Sequence, residues 1–302
     1  MDVDAMRFGI TPLEADSFTD IFNEDEGINS LMNFRFSDVI LKLIEKGYQH
    51  FEITLDLFQV LPIGFDDKEK EKIIDLYEQH DITFSAHFPI WSVELSSPNK
   101  FIREASIQSC IDSYKTLEFL ESQIDVFVLH PTGALTADFI NFELGQEYQE
   151  IILDLFTNYA IQSIKKLIRE TKIDRKKVAI ENIKFPFDRT LEMIDKLKTS
   201  FCLDTAHFLG GFSGDVDIID IAERYLDITS EIHLQDYSDN FSPPDHVALG
   251  RGNHFPLEFL KIINEKKFEG PIVFELGMGQ AYESVQFIKN KIPEIDVPDI
   301  KK

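Results

Sequence analysis

Short apolar runs rich in β-branched and aromatic residues alternate along the chain with longer amphipathic runs that carry charge at helical spacing. The runs Arg7–Ile10, Phe51–Leu55, Ile82–Ala86, Val126–Leu129, Val178–Ile180, Phe201–Leu203, Glu231–Leu234 and Pro271–Leu276 predict strands. The runs Asp38–Lys46, Asp67–Gln79, Lys100–Leu120, Gln146–Glu170, Arg189–Lys198, Val216–Tyr225, Leu257–Lys266 and Tyr282–Asn290 predict helices, the first stopped by Gly47. The tail Lys291–Lys302 reads as polar and frayed. Strands alternating with helices predict a parallel sheet. Eight such units in 302 residues predict a closed (β/α)8 TIM barrel. The rival, a doubly wound open sheet, wants a Gly-rich phosphate turn after its first strand. Here Thr11-Pro12-Leu13-Glu14 follows instead. No repeat, low-complexity tract or Pro/Ser linker interrupts the alternation. One domain over 1–302 is expected, with the barrel at about 7–290.

Charge changes the picture of partners. The chain has 30 Lys and Arg against 54 Asp and Glu, a net charge of −24. A protein that grips nucleic acid needs cations against phosphate, so this balance argues against a polyanion partner. Hydrophobic residues at 43% and charged residues at 28% suit a soluble globular protein and exclude wholesale disorder. No apolar run approaches the ~18–20 residues of a bilayer span. Acids stand at Asp2 and Asp4 where a signal peptide carries Lys or Arg, so a cytoplasmic location is expected. Cys110 and Cys202 form no CxxC pair and read as small buried hydrophobes in a reducing compartment.

The chemistry lies at the predicted strand ends. His50 and His80 fall between a helix and the next strand, and read as packing or surface residues on the opposite rim. His254, after Arg251-Gly252-Asn253, reads as structural. The remaining histidines sit differently. His87 ends strand three (FSAHFP) and His130 strand four (VFVLHPTG). Glu181 ends strand five (VAIEN). Asp204 ends strand six, with His207 three residues on (FCLDTAH). His233 ends strand seven (IHLQD), and Glu275 ends strand eight (IVFELG). His246 lies in the loop after strand seven. The C-terminal strand ends of a (β/α)8 barrel converge on one bowl. Buried imidazoles and carboxylates without partners are costly, and a divalent cation removes that cost. Nitrogen and oxygen ligation without thiolate suits Zn, Mn, Fe or Co.

The ordered series HxP, HPxG, IEN, LDTAH, HLxD, DHxxxGxG and FE resembles the xylose isomerase-like TIM-barrel superfamily. More narrowly, it resembles AP endonuclease family 2, whose best-known member is endonuclease IV. The superfamily holds metal-dependent sugar isomerases, epimerases and dehydratases, and the multi-zinc phosphodiester hydrolase endonuclease IV. The resemblance implies that Glu181, Asp204, His233 and Glu275 form a shared four-ligand metal site. It implies a second metal held by His87, His130 and bridging Glu181, and a third on His207 and His246. The third site also uses an Asp two residues before its His. Pro244 stands there in this chain, with Asp245 directly before His246, which puts the third metal in doubt.

Two mechanisms remain open on these residues. A one-metal isomerase or epimerase would use Glu181 and Glu275 as proton carriers and His207 to orient a hydroxyl. A hydrolase with two or three metals would use the His87–His130 pair as well, and that intact pair favours hydrolysis of a phosphoester-type bond in a small molecule. An AP-site DNA endonuclease or an inactive binding barrel ranks below both. Arg251 between two glycines, Lys184 and Trp91 are the expected contacts for an anionic small substrate. Phe88, Phe185, Phe187, Phe208, Phe212 and Phe241 either pack the barrel or wall the site with Trp91. Glu52, near the end of strand two, is expected to partner Arg7.

Overall fold

The structure, a computed structural model, describes residues 6–12, 34–60, 64–142, 145–252 and 255–302. His254 lies outside the described residues. Eight parallel strands close into a barrel in chain order. They are β1 (Arg7–Ile10), β2 (His50–Thr54), β3 (Thr83–His87), β4 (Ile124–Leu129), β5 (Val178–Glu181), β6 (Ser200–Asp204), β7 (Thr229–His233) and β8 (Pro271–Phe274). β1 pairs with both β2 and β8, which leaves no free edge. The helices that cover the barrel are α1 (Phe36–Glu45), α2 (Asp67–Gln79), α3 (Lys100–Thr116), α4 (Gln146–Thr171), α5 (Phe187–Leu197), α6 (Ile218–Tyr225), α7 (Leu257–Glu265) and α8 (Met278–Lys291). Asp66, Asn99 and Asp217 start α2, α3 and α6 by accepting a backbone N–H. Alternation alone therefore predicts all eight units. It misses the short helices Leu57–Val60, Ala134–Ile140 and Thr205–Leu209, which are too brief to show a period. Among the described residues no helix is long and apolar enough to cross a membrane.

The main core lies between strands and helices, where Phe36, Phe51, Phe84, Phe127, Phe201, Phe259 and Phe274 are fully buried. The barrel interior is divided. Val126, Val128, Ala179 and Cys202 form a separate apolar cluster on the β4–β6 side. The inward side chains of β2, β3 and β7 are polar. Residues two apart on a strand share a face, so His50 and Glu52 of β2, Ser85 of β3 and Glu231 and His233 of β7 meet inside. His50 Nε2 lies 3.0 Å from Ser85 Oγ, which donates to Glu231 Oε1 at 2.8 Å across the barrel. Of the two readings for His50, packing holds: it opens β2 and is fully buried. Gly9 makes the room, since a Cβ there would lie 2.6 Å from the His50 ring.

The C-terminal segment departs from its polar reading. Ile292, Ile295, Val297 and Ile300 are all buried. Lys301 N–H donates to Lys46 O at 2.8 Å. Gly47, at φ +100°, lets the chain pass, because a Cβ would meet Asp299 O at 2.8 Å. The apolar residues are spaced among Pro, Asp and Glu, so no periodicity betrays them. Ile300→Ala is expected to cost about 2–5 kcal/mol in urea unfolding; an unchanged midpoint would show the segment to be dispensable.

Candidate metal centre

Backbone and side chains fix the bowl at the C-terminal strand ends. Asp204 closes β6, and its Oδ1 accepts the His207 N–H at 2.7 Å, which starts the short helix Thr205–Leu209. Asn182, next to Glu181, clamps β6 from the side: its Oδ1 accepts Asp204 N–H at 2.8 Å and its Nδ2 donates to Asp204 O at 3.0 Å. Thr205 Oγ1 accepts Gln235 N–H at 2.9 Å. Gln235 Nε2 then donates to Asp204 Oδ2 at 2.7 Å and Glu275 Oε2 at 3.3 Å. The carboxylates are thus aimed before any ligand arrives.

Among the described residues, three groups share Glu181; one adds only buried Cys202 and His233, and the other two line the bowl. Ligand atoms of Glu181, Asp204, His233 and Glu275 lie within 4.8 Å of one another, as do those of His87, His130 and Glu181. His87 Nε2 and His130 Nε2 approach Glu181 Oε2 at 3.2 and 2.9 Å. His87 Nδ1 lies 2.7 Å from Phe88 O and donates to it, which leaves Nε2 to face the carboxylate. His233 is the mirror case. Its Nε2 donates to Glu52 Oε2 at 3.2 Å. Its Nδ1 lies 3.2 Å from Glu275 Oε2 yet has no hydrogen-bond partner of acceptable geometry. A buried imidazole nitrogen orphaned among three carboxylates, with its tautomer fixed from behind, is what a divalent cation requires. The residues present fit such an ion.

Electrostatics agree. Burial pushes Glu181 up, but the His130 and His233 imidazoles and hydrogen bonds from His130 and His207 hold it well below the usual carboxylate range. Burial pushes Glu275 up too, yet His233 brings it down to about 2. Asp204, buried beside Glu181 and Glu275, is raised to about 6. Burial lowers His87, but Glu181, Glu52 and Glu275 raise it to about 10. Burial lowers His233 as well, but Cys202, Glu275, Glu52 and Glu181 raise it well above the usual imidazole range. A cation held by the four-residue cluster must displace the His233 Nδ1 proton to take that lone pair. Adding Mn²⁺ or Zn²⁺ at pH 7 is expected to release protons, with affinity rising as pH rises. Calorimetry in two buffers of different ionisation enthalpy checks this, and heats independent of the buffer would contradict it.

A family model of the xylose isomerase-like TIM barrel matches residues 40–291. The chain belongs to that family. Its backbone is similar to that of a D-tagatose 3-epimerase-like protein, at 17% identity and TM-score 0.66, over 96% of this chain and 98% of the other. It is also similar to endonuclease IV from Thermus thermophilus, at 15% identity and TM-score 0.65, over 95% and 99%. A third neighbour is 3-keto-D-glucoside 4-epimerase from E. coli, at 13% identity and TM-score 0.63, over 94% and 99%. At these identities the likeness is one of fold. No curated protein matches the chain in sequence.

Within this family barrel, the expected residues are only partly gathered. His207 lies beside the four-residue cluster, with Nδ1 3.2 Å from Glu181 Oε1 and Nε2 3.6 Å from Asp245 Oδ2. His246 lines the same cavity. Among the described residues neither joins a group close enough to share an ion, so the third cluster is not assembled. Arg251 lies outside the cavity lining, bound through Nε and Nη2 to Glu283 at 2.6 and 2.7 Å. Trp91 lines the cavity and Lys184 an adjoining one. The aromatic wall is mostly core: Phe88, Phe185, Phe187 and Phe208 are buried, while Phe212 stacks on His207 at 5.4 Å. The expected Arg7–Glu52 pair is absent. Arg7 lies at the start of β1 and binds Asp125 at 2.6 Å, whereas Glu52 points inward to His233. Sequence reasoning missed Glu231 and Gln235. The signal was available for both, since each lies two residues from His233 and so on its face of the chain.

Proposed function

We propose that the protein is a metal-dependent carbohydrate epimerase or isomerase whose reacting unit is an uncharged polyol that bears a carbonyl. The observation that carries this reading is the lining of the central cavity. That cavity has a volume of about 590 Å³ and contains His87, His130, Glu181, His207 and Glu275. Among the described residues, no Lys or Arg lines it. A phosphoester brought over these carboxylates would lack the cationic side chains that usually hold it. A hydroxylated carbon chain needs none. The same lining disfavours a DNA strand. The structural neighbours include a sugar 4-epimerase and a 3-epimerase-like protein, which supports the reading by analogy of fold.

Glu181, Asp204, His233 and Glu275 would hold the ion. A divalent ion there would polarise a carbonyl and bring adjacent substrate oxygens together. The chain's own residues do the proton work. Glu181 and Glu275 offer two carboxylates at one site, one to remove a proton beside the carbonyl and the other to return it. Gln235 holds Glu275 and Asp204 in place. His207, its Nδ1 donating to Asn182 O at 2.8 Å, turns Nε2 toward Asp245 and the cavity, where it orients a hydroxyl.

The His87–His130–Glu181 cluster favours one second reading, a two-metal phosphoester hydrolase. One experiment separates the two. Mn²⁺-loaded protein is incubated in D₂O with D-fructose, D-tagatose and D-psicose, and in parallel with bis(p-nitrophenyl) phosphate. Metal-dependent deuterium incorporation next to the ketose carbonyl is expected. Release of p-nitrophenol with no exchange into any ketose would replace this reading by the second.

A further inference from the structure

A second cavity of about 460 Å³ adjoins the central one, and the two share Ile90, Trp91 and His130 as wall. It lies between the loop after β3 and the loop after β4. Three features show that it is built to take a ligand. The first is Thr132, which is 2% exposed and lines this cavity, yet its Oγ1 has no hydrogen-bond partner. A buried hydroxyl left unpaired is costly, and a ligand hydroxyl would satisfy it. The second is Trp91, the chain's only tryptophan, which is 56% exposed at the junction of the two cavities. Its ring is exposed but its backbone is fixed: Asp56 accepts the N–H of Ile90 at 3.0 Å and of Trp91 at 2.8 Å. A rigidly held, exposed indole offers a flat apolar face for the C–H face of a sugar ring. The third is Lys184, the one Lys or Arg among the described residues lining either cavity.

The walls are also joined to each other. Buried Glu94, from the β3 loop, accepts the N–H groups of Gly133 at 2.9 Å and Leu135 at 3.0 Å, and the hydroxyl of Thr136 at 2.9 Å, all from the β4 loop. The cavity is thus held open by hydrogen bonds rather than formed by a ligand, which lowers the ordering cost of binding.

We infer that this cavity is a distal subsite, and that the substrate is a two-unit glycoside. Its reacting unit occupies the central cavity. Its second ring stacks on Trp91 and gives a hydroxyl to Thr132 Oγ1, with an anionic substituent toward Lys184. This inference rests on the proposed carbohydrate chemistry of the central cavity and extends it from a single sugar to a glycoside.

The test uses Trp91 as its own reporter, because no other tryptophan contributes to the fluorescence. The protein is titrated with trehalose 6-phosphate, trehalose and glucose 6-phosphate, once stripped with EDTA and once loaded with Mn²⁺. Saturable quenching is expected with trehalose 6-phosphate at a concentration at least ~10-fold below that of either partial ligand, about one factor of ten in Kd for the missing contacts. Lys184→Ala is expected to remove its advantage over trehalose. Thr132→Val is expected to weaken binding while raising the melting temperature, since it deletes an unpaired buried hydroxyl; a purely structural Thr132 would not separate the two effects. Equal saturation by glucose 6-phosphate, absence of quenching by all three, or indifference to both substitutions overturns the subsite. Quenching that persists in the stripped protein keeps the subsite even if no deuterium exchange is found, so failure of the central reading remains a separate result.

Discussion

Glu181→Gln is expected to abolish turnover, lowering kcat by about 10²–10⁴-fold or more, while leaving the barrel folded. The size follows from the position of the carboxylate. Glu181 ends β5 at 1% exposure and belongs to both ligand clusters of the bowl. Its Oε2 faces His87 and His130, and its Oε1 lies 3.2 Å from His207 Nδ1. An amide keeps the volume but loses the charge that balances a cation, and it cannot accept a proton from carbon. The backbone partners are untouched, because the β5–β6 register is set by Ile180↔Phe201 and Glu181↔Cys202. Far-ultraviolet circular dichroism and steady-state turnover together check the prediction. Wild-type kcat in a folded variant would remove Glu181 from the proton path.

The second large effect belongs to a residue with no contact to substrate. Glu52→Ala is expected to weaken divalent metal binding by about 10–100-fold, and Glu52→Gln to restore most of it. Glu52 is fully buried and accepts the His233 Nε2–H, so it decides which imidazole nitrogen faces the bowl. Glutamine keeps an oxygen acceptor at that point; alanine keeps none, and the ring is then free to turn or to change tautomer. The fold should survive the loss. Glu52 stands beside Glu231, which is raised well above the usual carboxylate range by burial and then by the Glu52 charge, so one carboxylate fewer relieves the polar side of the interior. Competition against a metal-chelating dye gives the affinities. Equal affinity in wild type and Glu52→Ala would show that the tautomer is set elsewhere.

The fold was legible in the sequence because each barrel unit announces itself locally: a β-branched run, a polar loop, an amphipathic run. The chemical residues were legible for a related reason. Topology alone brings consecutive C-terminal strand ends together, so His87, His130, Glu181, Asp204, His233 and Glu275 could be assigned to one bowl before any distance was known. What stayed hidden depends on register across the interior. Glu52 and His233 are 181 residues apart, and their contact requires two strands separated by β1 and β8 to point inward at matching heights. Whether His50 packs or lies at the surface stayed open for the same reason, as nothing in a strand's first residue says whether it faces solvent or the interior. The C-terminal tail hid its buried isoleucines among Pro and acidic residues. For the aromatics the packing alternative holds at Phe88, Phe185, Phe187 and Phe208, which are buried, whereas Phe212 stacks on His207, Phe241 is exposed, and of this set only Trp91 lines the cavity.

Everything proposed for the bowl requires that Glu181, Asp204, His233 and Glu275 together hold a catalytic divalent ion. Elemental analysis of gently purified wild type, His233→Ala and His87→Ala tests this most directly. Wild type is expected to retain at least one equivalent of a transition metal per chain, His87→Ala to keep that equivalent, and His233→Ala to lose it. A metal-free wild type that gains no activity from added Mn²⁺, Zn²⁺, Fe²⁺ or Co²⁺, or an ion retained equally by His233→Ala, would contradict the claim.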